Sequence, residues 1–319
     1  QLNVSAPRLY LASGVTTIRT TGAFSPYSEL NLKSSIATGE VPGPRMYITG
    51  PYITGTGAST QMKVVSSPED ARRVVAYWAE EGVDWFKAYT RIGHDELAAA
   101  IDEAHQRGVK VTGHLCSVSF TEAVGLGIDN IEHGFFTNSD YVEGKQPGVC
   151  PPGVRQSLLD VDLDGAEVRT TIREMVDANV AMTSTLAVYE LSVPNRPPLE
   201  DRVLDMMAPA ARDEYLQTRN EIASRDESPM AILFPKAQAF EKAFFDAGGL
   251  LAAGVDPTGM GGALPGFGDQ RNYELLLEGG FTPEQVIQIM TLNGARVLGE
   301  DDRFGSIEVG KLADLVVIN

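Results

Sequence analysis

Positive charge is scarce in this 319-residue chain: 26 Lys and Arg stand against 43 Asp and Glu, a formal net charge of −17. Nucleic acid and anionic membrane both demand a basic surface, so neither is an expected partner, and no Lys/Arg run offers a local exception. Long apolar runs are missing as well; none nears the roughly 18 to 20 residues that cross a bilayer. There are two cysteines, Cys116 and Cys150, too few for a disulfide framework. A reducing compartment suits them and so does the periplasm, which leaves the localisation open between cytoplasm and periplasm. Histidine numbers four, at positions 94, 105, 114 and 133, and no two form a His-x-His pair. The opening Gln1-Leu2-Asn3-Val4 has neither an initiator Met nor a signal-peptide pattern, so a longer gene product is expected around this stretch.

What is present is an ordinary globular composition, 43% hydrophobic and 22% charged, with length enough for a large core. Short β-branched or apolar runs alternate with helical patterns. Strands are expected at 14–19, 45–50, 83–89, 109–114, 128–133, 180–186 and 250–255. Between them, Ser67-Pro68 opens a helix with a capping serine and a first-position proline, and Asp95 is expected to cap a helix over 96–107. A short helix is expected around 121–126, and Asp164 is expected to cap a helix reaching about Ala178. A further helix is expected over 236–247, and Thr282-Pro283-Glu284-Gln285 is a capping box that starts a helix reaching Val297. Strands separated by helices of about a dozen residues imply a parallel sheet with helical crossovers. Seven strands do not by themselves decide between a closed eight-stranded barrel and an open doubly wound sheet.

The polar residues discriminate better. Lys87 lies near the end of one apolar strand, His114 and His133 end the next two, and Asp256 follows the last. In a parallel barrel all strands end on one face, so these four side chains would converge over the mouth, where imidazole and carboxylate suit a divalent ion such as Zn²⁺. Each has an ordinary reading alone: a hydrogen-bonded rim histidine, a lysine reaching outward along its stem, an aspartate in a turn. All must hold together for the ordinary reading to stand. His94, in a loop, and His105, on a helix, carry no expected role. Cys116 shares the inward face of His114 and reads as a small filler rather than a further ligand.

Lys87 in Trp85-Phe86-Lys87, His114 in Val111-Thr112-Gly113-His114, His133 in Ile131-Glu132-His133-Gly134 and the run Ala253-Gly254-Val255-Asp256 together resemble the amidohydrolase superfamily. The steps of 27 and 19 residues from Lys87 to His114 to His133 fit strands four, five and six of its barrel. Thr291-Leu292-Asn293-Gly294-Ala295-Arg296 and the stretch from Gly305 to Val317 look like the exit from that barrel. The branch resembled is the imidazolonepropionase-like and Xaa-Pro dipeptidase (prolidase) group.

The resemblance implies an α/β fold. It would be a (β/α)8 TIM-like barrel over 1–300 that lacks its first strand in this chain, followed by the start of a small β-sandwich over 301–319. It also implies two divalent metal ions, Zn²⁺ being the expected kind, bridged by a CO₂-derived carbamate on Lys87. His114 and His133 would hold the more exposed ion, and Asp256 would be ligand and proton carrier. The implied reaction is hydrolysis of an amide or related C–N bond by a metal-activated hydroxide.

The family's His-x-His strand has no counterpart here, and it is expected upstream of Gln1. The 123 positions from His133 to Asp256 exceed what one strand and two helices require, so 141–162 and 190–227 are expected to form loops or extra helices over the mouth. Tyr89, Tyr189 and Arg19 are weaker candidates for substrate contact: each tyrosine reads more readily as packing, and Arg19 could bind a carboxylate or equally be a member of a structural ion pair. The glycine-rich stretch 259–266 is expected to be a mobile loop at the mouth and does not fit a dinucleotide fingerprint. The expected partner is a small molecule, and the chain is expected to act as a homo-oligomer. Competing readings are a lactonase or organophosphate esterase on the same barrel, a metal-deficient barrel used for binding, and an open nucleotide-binding sheet. The last is disfavoured because no phosphate loop follows the first strands.

Overall fold

The computed structural model describes residues 5–59, 61–197, 199–225, 227–257 and 262–317. Nine strands are present among them: β1 (Thr17–Arg19), β2 (Arg45–Tyr47), β3 (Thr49–Thr54), β4 (Lys63–Val64), β5 (Trp85–Ala88), β6 (Lys110–Gly113), β7 (Asn130–Glu132), β8 (Ala181–Ser184) and β9 (Leu251–Ala253). β1 pairs with β2 in parallel, and a second parallel sheet runs β4-β3-β5-β6-β7-β8-β9. Only Ile48 separates β2 from β3, and a bridge between Ala23 and Pro51 continues the β1 pairing, so the two sheets form one wall. All seven strands expected from the sequence are present. The one expected over 45–50 continues to Thr54, past Gly50 and Pro51, and β4 is an additional short strand.

The order of strands settles the architecture at the level of class. From β1 to β9 neighbours in space follow chain order, with only the short β4 out of line. A doubly wound sheet reverses its order at a switch point, and this one does not. The fold is therefore α/β with a singly wound parallel sheet, consistent with a TIM-like barrel.

Period-two alternation sorts the strand residues onto two faces. Phe86, Val111, Ile131, Met182 and Leu251 are buried and join the core beneath the helices. Lys87, Thr112, Asn130, Glu132 and Thr183 are buried on the opposite, inner face, above a floor of Trp85, Ala181, Ala252 and Val297. The inner face is thus mostly polar, which requires internal partners for every group on it.

Helix starts follow local chemistry. Ser67 accepts from Asp70 N at 3.1 Å to cap Pro68–Glu80, and Thr282 with Gln285 forms the expected capping box of Pro283–Gln288. A π-turn, Ile289–Asn293, carries that helix into Gly294–Leu298. Two expected caps move by one or two residues. His94–Gln106 begins at Gly93 and Ala166–Asp177 at Gly165, so Asp95 sits in the first turn, where a carboxylate still meets the positive helix end. The short helix is Phe120–Gly125, capped by Ser119. The helix expected over 236–247 is longer, Met230–Asp246, and holds Pro235 in its second turn.

The excess chain after His133 forms four extra α-helices, Val154–Asp160, Leu186–Glu190, Asp201–Leu204 and Pro209–Ala223, and a short 3-10 turn, Gly134–Thr137. A buried cation, Arg219, and a partly buried one, Lys236, close two of these excursions. Arg219 donates to the carbonyls of Leu191, Val193 and Arg196, and Lys236 donates to those of Leu158, Leu159 and Val161.

Cys116 and Cys150 depart from the expectation: they form a disulfide with Cα atoms 4.9 Å apart. Cys116 is therefore neither a simple filler nor a ligand. The bond closes a loop of 34 residues and ties the turn after His114 to the 138–153 excursion. In the chain-entropy account such a loop stabilises the fold by about 3 to 4 kcal/mol. Ser139 Oγ donating to Cys116 O and Lys145 Nζ donating to Ser117 O reinforce the same seam.

After Leu298 the described chain contains no strand; 301–317 runs in turns and extended backbone, with Ile307, Val309, Leu315 and Val317 exposed. No helix of the described residues is long and apolar enough to cross a membrane. Residues 258–261 of the glycine-rich stretch and the terminal 1–4 and 318–319 lie outside the described residues.

Candidate metal centre at the strand ends

The inner face carries two polar layers. In the lower one, Glu132 Oε1 accepts from Arg19 at 2.7 Å, Thr112 Oγ1 at 2.7 Å and Asn130 Nδ2 at 3.2 Å. Asn130 also bonds Thr183, and the Arg19 guanidinium lies 4.5 Å over the Trp85 ring. Burial would raise the Glu132 carboxyl, but Arg19 first and Lys87 second hold it down at about 2. Arg19 is therefore an internal counter-ion. Of its two sequence readings, the structural ion-pair member is the one this placement matches, with the guanidinium against Glu132.

The upper layer brings together the four residues singled out as ligands. Lys87 is 2% exposed, and its Nζ lies 3.5 Å from His133 Nε2. His133 Nε2 in turn lies 3.6 Å from Asp256 Oδ2. The His114 ring follows with its centroid 4.6 Å from that of His133. Local backbone geometry aims these side chains. His114 N donates to Ala88 O and His133 N to Thr183 O, extending the ladder one residue past each strand. His133 and Asp256 then turn with φ of 67° and 44°, left-handed conformations that a non-glycine residue holds only when its surroundings enforce them.

Electrostatics favour the unprotonated bases. Burial lowers the Lys87 amine against the opposing pull of Glu132 and Asp256. Burial, then the neighbouring His133 and Lys87, takes His114 well below its usual range. Burial followed by Lys87 takes His133 to about 3. Thr185 Oγ1 at 2.9 Å engages His133 Nδ1, which leaves Nε2 facing Lys87 and Asp256.

Would these residues accept a divalent ion? Tetrahedral ligands about 2.0–2.1 Å from Zn²⁺ are about 3.4 Å apart, close to the two separations around His133 Nε2. Among the described residues no three His, Cys, Asp or Glu side chains form a metal cluster, so the fit depends on Lys87 joining them. A neutral amine alone is a poor hard-ion ligand, whereas its carbamate would offer two anionic oxygens. On that condition the donor set fits.

Tyr89 and Tyr189 both reach the site, with Tyr89 4.7 Å from the His114 ring and Tyr189 5.8 Å from that of His133, centroid to centroid. His94 and His105 sit at the exposed surface beside Asp95 and Asp129. Three neighbours escaped the sequence reading: Glu132, Thr185 and Tyr52, whose ring lies 5.7 Å from Lys87 Nζ. Glu132 adjoins His133 in the chain, and Thr185 lies two residues past inner-face Thr183 in the strand expected over 180–186; Tyr52 lay beyond the expected end of its strand.

Against known proteins, the sequence matches the family described as "Amidohydrolase family" over residues 10–319. An S-triazine hydrolase of Gordonia rubripertincta is 45% identical over 38 residues, 12% of this chain and 8% of that protein. The bottromycin amidohydrolase superposes with a TM-score of 0.74 at 19% identity, covering 93% of this chain and 64% of its own. A Xaa-Pro dipeptidase solved with methionine in its active site gives 0.66 at 20% identity, covering 97% and 70%. At these identities the structures speak for the fold, and the short hydrolase match leaves substrate and activity to argument from the site.

Proposed function

The chain belongs to the amidohydrolase family, and on that premise we propose that it hydrolyses C–N bonds of small dipeptide-like or cyclic amides at the Lys87–His114–His133–Asp256 site. The observation that carries this reading is the convergence of Lys87 Nζ, His133 Nε2 and Asp256 Oδ2 within 3.5 and 3.6 Å steps on the sheet's inner face. Divalent metal, when bound, would polarise the scissile carbonyl and lower the pKa of its bound water to about 7.

The chain's own groups supply the rest. A buried, unprotonated Lys87 amine is the form that adds CO₂: its nitrogen lone pair attacks carbon, one N–H proton leaves to solvent, and a carbamate anion remains. His114 and His133 present neutral imidazoles, and Thr185 fixes the ring of the latter. Asp256 takes the proton of the attacking water and passes it to the departing nitrogen. Tyr89 or Tyr189 donates to the carbonyl oxygen. In this reading a further strand lies between β9 and β1 and carries the His-x-His pair, 1–300 is the barrel, and 301–319 enters a small β-sandwich.

A panel of Xaa-Pro dipeptides, other dipeptides and cyclic amides tests the proposal. It expects hydrolysis that a chelator abolishes and Zn²⁺ with bicarbonate restores. Hydrolysis of lactones or phosphotriesters alone, or of nothing after reconstitution, contradicts it.

A further inference from the structure

The candidate ligands form part of an unbroken arc of rings. Phe24 contacts Tyr52 at 5.2 Å, Tyr52 contacts Tyr89 edge-on at 5.5 Å, and Tyr89 contacts His114 at 4.7 Å, centroid to centroid. His114 meets His133, which meets Tyr189 on the far side. The arc begins at the surface, because Phe24 is 42% exposed, and descends through Tyr52 to the reacting centre. Gly22 makes room for it. Its φ is +101°, and a Cβ there would stand 2.5 Å from the Tyr52 ring. The Tyr52 ring is seated against bare backbone, and only glycine serves at that position.

We propose that Phe24 and Tyr52 form the side-group subsite of the enzyme, taking an uncharged planar ring carried on the acyl side of the amide. This rests on the amide-hydrolase reading. The two rings are tilted by 39° rather than stacked face to face, and Phe24 presents its ring to solvent, where a third ring can meet it edge-to-face. Ring faces repel carboxylates, and the arginine nearest in sequence, Arg19, is committed to Glu132 within the sheet.

The test compares Phe-Ala, Gly-Ala, Glu-Ala and Lys-Ala as substrates of the metal-loaded protein, with Phe24→Ala and Tyr52→Leu variants. Phe-Ala is expected to exceed the other three in kcat/KM by about tenfold, and that ratio is expected to fall about tenfold in Phe24→Ala, through KM. Phe24 is a surface residue, so this variant guards against misfolding of the Tyr52 one. A preference for Glu-Ala or Lys-Ala, or an unchanged ratio in Phe24→Ala, overturns the subsite. Saturation-transfer NMR with 3-phenylpropionamide separates the subsite from the chemistry. Transfer to the ring that vanishes in Phe24→Ala supports the subsite even if no dipeptide is cut, a result that would count against hydrolysis alone. No transfer to the wild-type protein overturns the subsite whatever the turnover.

Discussion

The two polar layers on one sheet face are built from similar residues and behave in opposite ways. In the lower layer a carboxylate and a guanidinium are both buried and lie 2.7 Å apart, and Thr112 and Asn130 also donate to the carboxylate. In the upper layer three nitrogen bases are crowded together, and burial drives all three toward their neutral forms. A structural layer minimises its own electrostatic cost; a layer that leaves lone pairs converging on one point keeps that cost for a ligand. The contrast separates scaffold from site without any appeal to the fold.

The largest expected effect is on activity. Lys87→Met should lower amide hydrolysis by at least about a hundredfold, the upper range for altering even a ligand's supporting partner. The same change should stabilise the metal-free fold. The Lys87 amine is lowered in the folded state, so below its unfolded pKa the unfolded chain binds the extra proton and stability rises as pH rises toward that value. Removing the amine removes this penalty, and thermal melts at pH 7 should show a higher midpoint. A lower midpoint would mean that Lys87 serves the scaffold.

Glu132→Gln should do the reverse, costing about 3–5 kcal/mol by leaving Arg19 buried without its counter-charge. Denaturant titration measures this; a neutral result would dissolve the distinction between the layers. Thr185→Val should weaken metal binding by about tenfold, because His133 loses the group that orients its ring, with little change in melting. An unaltered metal affinity would remove Thr185 from the site.

The smallest effect concerns Glu241, buried behind this region beside Ser184, with neither oxygen in hydrogen-bond geometry. Burial raises its carboxyl to about 8. Between the ordinary glutamate value and pH 8 the folded chain holds a proton that the unfolded chain has released, so stability falls as pH rises through that window. Glu241→Gln should flatten the pH dependence of the melting midpoint between pH 5 and 8; an unchanged slope would show that the carboxyl ionises freely.

The sequence disclosed the upper layer more readily than the lower. Lys87, His114 and His133 are conspicuous because each interrupts an apolar run at its end, and parallel strands bring such ends together. Glycine, proline and serine punctuation likewise marked all seven strands but only about half of the helices, with Pro26–Ala37 and Phe267–Glu278 among those it did not mark. Pairings across long separations were not legible. Arg19 and Glu132 are 113 residues apart, and nothing local tells an arginine at a strand end whether it faces solvent or a buried carboxylate. Cys116 and Cys150 could pair only after the 138–153 excursion folded back over the turn that follows His114. Tyr52 was hidden by Gly50 and Pro51, ordinary strand breakers that the parallel pairing with β5 overrides at this position. The helix expected from 236 starts six residues earlier, because tertiary packing carries Met230–Asp246 through Pro235.

The most direct test of the account is elemental analysis of metal per chain, wild type against Lys87→Ala, after equilibration with Zn²⁺ and bicarbonate. The account predicts at least one tightly held divalent ion in the wild type and its loss in the variant. A wild-type protein that holds none, or a variant that retains the same complement, would contradict it.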